Sequence, residues 1–198
     1  MEQKKGLTIN TIIETATKLV EEKGYNNFSL RELAGRLNVK AASLYYHISG
    51  VDDITKAVGE LASERMNQAF ESATKGKERD AAVSALAHAY RKYVKENPEL
   101  YLAIMGVPLS DDKDLSEQRM RTISPIYEIM GQYRISKEEI MHCQRIFRST
   151  LHGFTMLEAS GFFQAQDTNV DESFDFLIQN QVLLLHSLED CAEKNDEV

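Results

Sequence analysis

Cysteine is scarce in this chain. Cys143 and Cys191 are the two present in 198 residues. They stand far apart and cannot build a disulfide framework; both read as small buried hydrophobes. Proline is scarce as well, at three residues, which leaves room for long helices. No apolar run reaches the ~18 residues that a membrane span needs, and no signal-peptide pattern opens the sequence. A cytoplasmic protein without a membrane partner is therefore expected. No stretch alternates apolar and polar residues as a half-buried strand would, and no internal repeat or low-complexity segment stands out. The five histidines, at 47, 88, 142, 152 and 186, show neither H-x-x-x-H nor H-E-x-x-H spacing. His142 and Cys143 are neighbours, which puts them on different sides of a helix. With no convergent acid, base, nucleophile or metal set, no metal, cofactor or catalytic residue is expected. An all-α enzyme is the least supported function class.

Positive charge is also in short supply. The net charge is −8, unattractive for a polyanionic partner. The distribution matters more than the total. Residues 1–50 hold seven Lys/Arg against five Asp/Glu, whereas residues 51–198 hold sixteen against twenty-six. That asymmetry points to two functional parts, and a Debye length of about 8 Å at physiological salt screens the acidic part from whatever the first part touches.

What is present in abundance is helical periodicity, and one stretch of it carries chemistry. From Ser29 to His47 the chain reads as two short helices joined by a tight turn. Ser29 and Glu32 form an S-x-x-E capping box. Leu30, Leu33, Ala34 and Leu37 repeat at helical spacing and give one buried face. Asn38 tolerates a left-handed conformation and is the expected stop, with Val39 as an apolar plug beneath the turn. Lys40-Ala41-Ala42-Ser43 opens the second helix, Leu44 anchors it inward, and the two alanines leave its surface thin enough to approach base edges and thymine methyls. Upstream, Ile9, Ile12, Ile13, Ala16, Leu19 and Val20 form the stripe of an amphipathic helix, with Thr8 as N-cap and Gly24 as stop.

At this point the chain resembles the tetracycline-repressor (TetR) family. The matching residues are Ala16, Leu19, Gly24, Tyr25, Phe28, Ser29, Leu30, Arg31, Leu33, Ala34, Leu37, Val39, Leu44, Tyr45, Tyr46, His47, Asp53 and Ile54. The resemblance implies a ligand-responsive transcription regulator, most simply a repressor that binds a palindromic double-stranded DNA operator as a homodimer and leaves it when a small molecule binds. It implies DNA contacts from Ser29, Arg31, Lys40, Ala41, Ser43, Tyr45 and His47: Arg31 on a base edge or phosphate, Lys40, Ala41 and Ser43 facing the groove, Tyr45 and His47 on phosphates. Tyr46 is expected to be core or mixed. One departure is Val51, where the family commonly has a lysine; a phosphate anchor is missing there, and Lys40 or Lys4 and Lys5 would have to compensate. The alternative is a helix-turn-helix-shaped interaction module that does not bind DNA.

Past residue 51 the sequence predicts helices over 52–74, 80–96, 98–105, 115–133 with a kink near Ser124 from Pro125, 136–161 and 171–192. The fold class is thus all-α, with about nine helices: a three-helix DNA-binding domain over residues 1–51 and a ligand-binding and dimerisation domain over 52–198. Residues 151–163 carry L-H-G-F-x-x-L-E-x-x-G-x-F, which resembles the C-terminal domain of one TetR subgroup, although Phe147 and Arg148 stand where that subgroup often has Trp. A mid-helix glycine costs about 1 kcal/mol against alanine, so Gly153 is expected to accommodate close approach by a helix or ligand. The family's last two long helices pair with a second subunit, and the apolar content of residues 174–188 is wide enough for that. The resemblance also places a small-molecule effector among the middle helices, with Tyr90, Tyr93, Met105, Tyr127, Met130, Phe147, Leu151, His152 and Met156 as candidate lining residues.

Overall fold

The structure, a computed structural model, describes residues 7–107, 123–164 and 167–196. Every regular element among them is helical: α1 (Ile9–Lys23), α2 (Leu30–Arg36), α3 (Ala41–Leu44), α4 (Val51–Thr74), α5 (Arg79–Glu96), α6 (Pro98–Gly106), α7 over residues 123–130, α8 (Lys137–Ala159) and α9 (Val170–Asp196). None of the helices in the described residues is long and apolar enough to cross a membrane. The chain divides into two compact units, Met1–Arg65 with Asn97–Leu115, and Met66–Glu96 with Ser116–Val198.

Local chemistry fixes most of these boundaries. Thr8 caps α1: its hydroxyl accepts the Thr11 N–H at 3.2 Å, and the Thr11 hydroxyl accepts the Thr8 N–H at 3.0 Å. α8 opens with the reciprocal Ser136–Glu139 pair, at 3.2 and 2.7 Å, and the two hydrogen bonds from Ser136 hold the Glu139 carboxyl below the ordinary carboxylate range. Pro98 sits in the first turn of α6, where its missing N–H costs nothing. The expected 115–133 helix is helical over 123–130, Pro125 falling in the first turn described, and it ends before Gly131 because residues 131–134 turn. Its expected first part, 115–122, lies outside the described residues. α9 is longer than expected at both ends.

In the first unit, Ile12, Ala16, Leu19 and Val20 of α1 meet Leu33 and Ala34 of α2, Leu44, Ile48, and Ile54, Val58 and Ala62 of α4. Leu100 and Ala103 of α6 complete the same core. α6 lies very close to its neighbours. A methyl group on Gly59 would stand 2.6 Å from the Ala103 carbonyl oxygen, and one on Gly106 would collide with the Tyr25 ring. The Glu99 carboxylate accepts the Tyr25 N–H at 2.7 Å.

In the second unit, α5, α8 and α9 pack on one another. Leu86, Tyr90, Val94, Phe147, Leu151, Phe174, Ile178 and Leu185 are buried there. A charged residue, Arg91, is buried with them. Its guanidinium donates to both Glu158 oxygens at 2.7 and 2.6 Å, lies 2.8 Å from Asp171 and stacks 4.7 Å over the Phe174 ring. It thereby ties α5 to α8 and α9. Cys143 is buried as expected, and burial pushes its thiol up. Cys191 is not: it stands exposed on α9, because its position falls on the helix face opposite Leu185 and Ile178.

Candidate nucleic-acid interface

The α2–turn–α3 segment is shaped by backbone bonds that its sequence permits. Ser29 caps α2 by accepting the Glu32 N–H at 3.2 Å. The reciprocal half of the expected box is not made; the Glu32 carboxylate pairs with Lys23 of α1 instead, an ion pair that draws it away from the Ser29 N–H. The turn closes through Val39 N–H to Ala34 O at 3.0 Å, with Asn38 in the left-handed region at φ 53°. Val39 packs half-buried on the unit's core. α3 is a single turn, followed by bonds from the His47 and Ile48 N–H groups to Leu44 O at 2.8 and 3.1 Å. Leu44 and Ile48 are buried on either side of Tyr45-Tyr46-His47, so those three side chains are held outside. Tyr45 is 57% and Tyr46 88% exposed. The expectation that Tyr46 is core or mixed is therefore wrong: Leu44 and Ile48 take the inward positions, and Tyr46 has no buried direction left.

The electrostatics sort the cations of this unit into two groups. Arg36 is held bidentate by Glu22, with one bond of 2.7 Å, and this keeps the Glu22 carboxyl below its ordinary value. Lys23 is paired with Glu32, and Arg65 with Glu21 at 3.1 Å. Lys18, Arg31 and Lys40 form no ion pair among the described residues and are exposed; of the three, Arg31 and Lys40 belong to the helix-turn-helix segment. Arg31 stands in the first turn of α2 and Lys40 is the N-cap of α3. Ser43 and Ala41 are half-buried, Ala41 against the core, and Ser29 is exposed but engaged as a cap. Val51 opens α4 and is 40% exposed. Behind it, Asp53 accepts the Ser49 N–H at 2.7 Å, which holds the Asp53 carboxyl low and fixes the entry of the helix.

An exposed edge with two such cations, two tyrosines and a histidine suits a polyanion, and its frame is shared with known proteins. Residues 12–59 match the profile of bacterial regulatory proteins of the tetR family, and residues 83–180 match the tetracyclin repressor-like C-terminal domain. The HTH-type transcriptional regulator YobS of Bacillus subtilis is 33% identical over 179 residues, covering 88% of this chain and 90% of that protein. The chain belongs to the TetR family. A second regulator, Rv0681 of Mycobacterium tuberculosis, is 29% identical over 82% of this chain and 75% of its own length. The same fold is found in a Rhodococcus protein of unknown function (TM-score 0.78, 21% identity, 91% of this chain and 97% of that one) and in a TetR variant from Acinetobacter baumannii in complex with minocycline (TM-score 0.68, 17% identity, 92% and 98%). This TetR-family protein is a transcriptional regulator and not an enzyme, and regulators of the family bind DNA, form homodimers and respond to small molecules.

The residues expected to line an effector site divide between the two units. Tyr90, Tyr93, Met130, Phe147 and Leu151 are buried in the second, and Tyr127, His152 and Met156 are half-buried there; Met105 belongs to the first and is 49% exposed. Gly153 departs from its expectation within the chain, since nothing lies within 4 Å of where its side chain would begin. It sits on the outer face of α8 with Ile146 and Leu157, both more than two-fifths exposed, so no described helix of its own chain reaches it. Two features went unread in the sequence. Glu158, the acid of the L-E signature, serves Arg91; a charge 67 residues away leaves no local trace. Arg79 starts α5 at φ 47°, held by Gln132 through its N–H and by Glu189 through its guanidinium. The Arg79 hydrogen bonds draw the Glu189 carboxyl down to about 2. Among the described residues no group of three or more His, Cys, Asp or Glu is placed to hold a metal ion.

Proposed function

We propose that this regulator is a homodimeric repressor that binds a palindromic operator in double-stranded DNA through residues 1–51 and is released by a small molecule bound within residues 52–198. The observation that carries the reading is the selective pairing of cations. Arg36, Lys23 and Arg65 are neutralised by neighbours, whereas Arg31 and Lys40, on the helix-turn-helix segment that ends in exposed Tyr45, Tyr46 and His47, form no ion pair among the described residues. Phosphate contacts from Tyr45 and His47 position the helix, Lys40, Ala41 and Ser43 face the groove, Arg31 reaches a base edge or a phosphate, and Ser29 adds a further contact at the start of α2. Two heads must then stand about 34–36 Å apart to enter successive major grooves. Support for the dimer comes from α8 and α9, which leave Ile146, Leu157, Phe176 and Leu183 exposed alongside the open surface at Gly153; a partner helix is the natural cover. For the effector, the apolar and aromatic set Tyr93, Tyr127, Met130, Phe147, Leu151, His152 and Met156 of the second unit supplies adaptable walls. A cytoplasmic setting follows from the need to reach DNA. The test is a gel shift on the DNA upstream of the protein's own coding sequence at several salt concentrations. Saturable, salt-dependent binding to that DNA over a scrambled control is expected; no binding at any salt refutes the repressor and leaves the interaction module.

A further inference from the structure

A groove lies on the seam between α5 and α9, lined by none of the residues assigned to the effector. Asp80, Ser84 and His88 follow one another every four residues on α5, and Asp175, Gln179 and His186 form the facing stripe of α9. Between them runs a groove of about 520 Å³ with Ile178 and Val182 as its floor; Leu183, on the α9 face assigned to the dimer, borders its outer side. Its ends are acidic. The His186 Nε2 lies 2.9 Å from both Asp80 oxygens, and the Tyr133 hydroxyl donates to the same carboxylate at 2.7 Å. At the other end the His88 Nε2 is 3.2 Å from Asp175. A carboxylate offers about four lone-pair directions, and Asp80 and Asp175 remain 51% and 54% exposed as side chains beside their histidines. Burial works to raise the Asp80 carboxyl, but the bonds from His186 and Tyr133 outweigh it and hold the group below its ordinary value. No Lys or Arg lines the groove; the neighbouring Arg79 is committed to Glu189 at 2.6 Å. His88 lies eight residues beyond Asp80, so the two acidic ends are separated by about 12 Å along α5 at 1.5 Å per residue.

We propose that this groove binds a linear diammonium or polyammonium ion, its two end charges on Asp80 and Asp175 and its methylenes on Ile178 and Val182. The walls match each part of such a molecule: a carboxylate for each terminal cation, an apolar floor for the chain between them, and the Ser84 hydroxyl and Gln179 amide for an internal ammonium. A monoamine of the same length satisfies one end only, and an anionic molecule meets a carboxylate at both.

Cadaverine titrated into the full-length protein by calorimetry at low salt is the test, with spermidine and the monoamine amylamine beside it. One saturable site per chain is expected, with cadaverine and spermidine bound more tightly than amylamine. Asp175→Asn is expected to weaken cadaverine about threefold, the size of one partly exposed ion pair, and Asp175→Lys to abolish binding. Asp167→Asn, an exposed carboxylate outside the groove, changes nothing. The proposal is overturned if cadaverine does not bind, if amylamine binds equally well, or if Asp175→Lys leaves binding intact. It is overturned equally if Asp167→Asn costs as much as Asp175→Asn. None of these outcomes depends on whether Arg31 and Lys40 read DNA.

Discussion

Replacing Glu158 by glutamine should unfold the second unit far more readily than its place near the end of α8 suggests. The substitution keeps the size of the side chain and removes its charge. Arg91 is 9% and Glu158 14% exposed as side chains, and the guanidinium makes two short bonds to the carboxylate. Removing one partner of a buried pair costs about 3–5 kcal/mol because the other charge is left behind. Asp171 still faces Arg91 at 2.8 Å, which places the expected loss near the lower end, at about 3 kcal/mol. With a urea dependence of about 2 kcal/mol per molar, the unfolding midpoint followed by far-UV circular dichroism should fall by about 1.5 M. Asp171→Asn, at a carboxylate that is 76% exposed, should cost less than about 1 kcal/mol. The Arg91→Met/Glu158→Leu double variant should recover most of the loss, since a buried pair replaced by apolar groups of similar volume is often neutral. The pH dependence follows from the hydrogen bond to Arg91, which holds the Glu158 carboxyl below its ordinary value of 4.5. A carboxyl with a depressed folded-state pKa contributes stability above its unfolded value and loses it as the pH falls through the folded one. The gap between the native protein and Glu158→Gln should therefore be full at neutral pH and shrink below about pH 4.5. Equal midpoints for Glu158→Gln and the native protein, or a loss from Asp171→Asn as large as that from Glu158→Gln, would refute the reasoning.

Other expectations concern the interface with DNA and the dimer. Tyr45→Phe and His47→Ala should weaken binding to operator and random DNA by similar factors, because phosphates carry no sequence information, whereas Arg31→Ala or Lys40→Ala should also change base preference; a gel-shift series in which none of the four alters binding would exclude this edge as the DNA surface. Val51→Lys should add one phosphate contact and steepen the dependence of log affinity on log salt by about one unit, measured by fluorescence anisotropy between low and physiological salt. An unchanged slope would show that position 51 faces away from the backbone. Leu183→Glu places a charge on the exposed apolar face of α9 and should convert the dimer to monomers in sedimentation velocity at micromolar concentration, without loss of helical content; a native protein already monomeric under those conditions would remove the dimer from the proposal.

The helices and the turn were legible because their determinants are local. Thr8, Ser136 with Glu139, Asn38 and Gly24 each act within a few residues of where they stand, and the periodic apolar stripes of α1 and α2 name their own buried faces. What escaped depends on partners distant along the chain. Ser29 and Glu32 have the spacing of a full capping box, yet Lys23 competes for the acid. Tyr46 looked inward by analogy, and only the burial of Leu44 and Ile48 together shows that no inward position remains. Arg91 reads as one more surface charge in α5 until Glu158 and Asp171 arrive from two other helices. The residue types proposed to face DNA are legible in the sequence, but the distinction between neutralised Arg36 and Arg31, which has no ion-pair partner among the described residues, is a fact of side-chain geometry.

The passage of α6 through the core of the first unit has a consequence for biosynthesis. Leu100 and Ala103 share a core with Ile12 and Leu33, and the Tyr25 N–H waits for an acceptor 74 residues downstream at Glu99. As the nascent chain leaves the ribosome, α1 to α3 emerge first with part of their apolar surface uncovered, and they stay so until α4, α5 and α6 have followed. At about 5–20 residues per second, that leaves several seconds in which the N-terminal segment is exposed to proteases and to pairing with other chains. The same interleaving limits transplantation: a graft that moved only residues 1–65 onto another regulator would leave behind the helix that completes its core, and a workable exchange must carry Asn97 to Val107 with it.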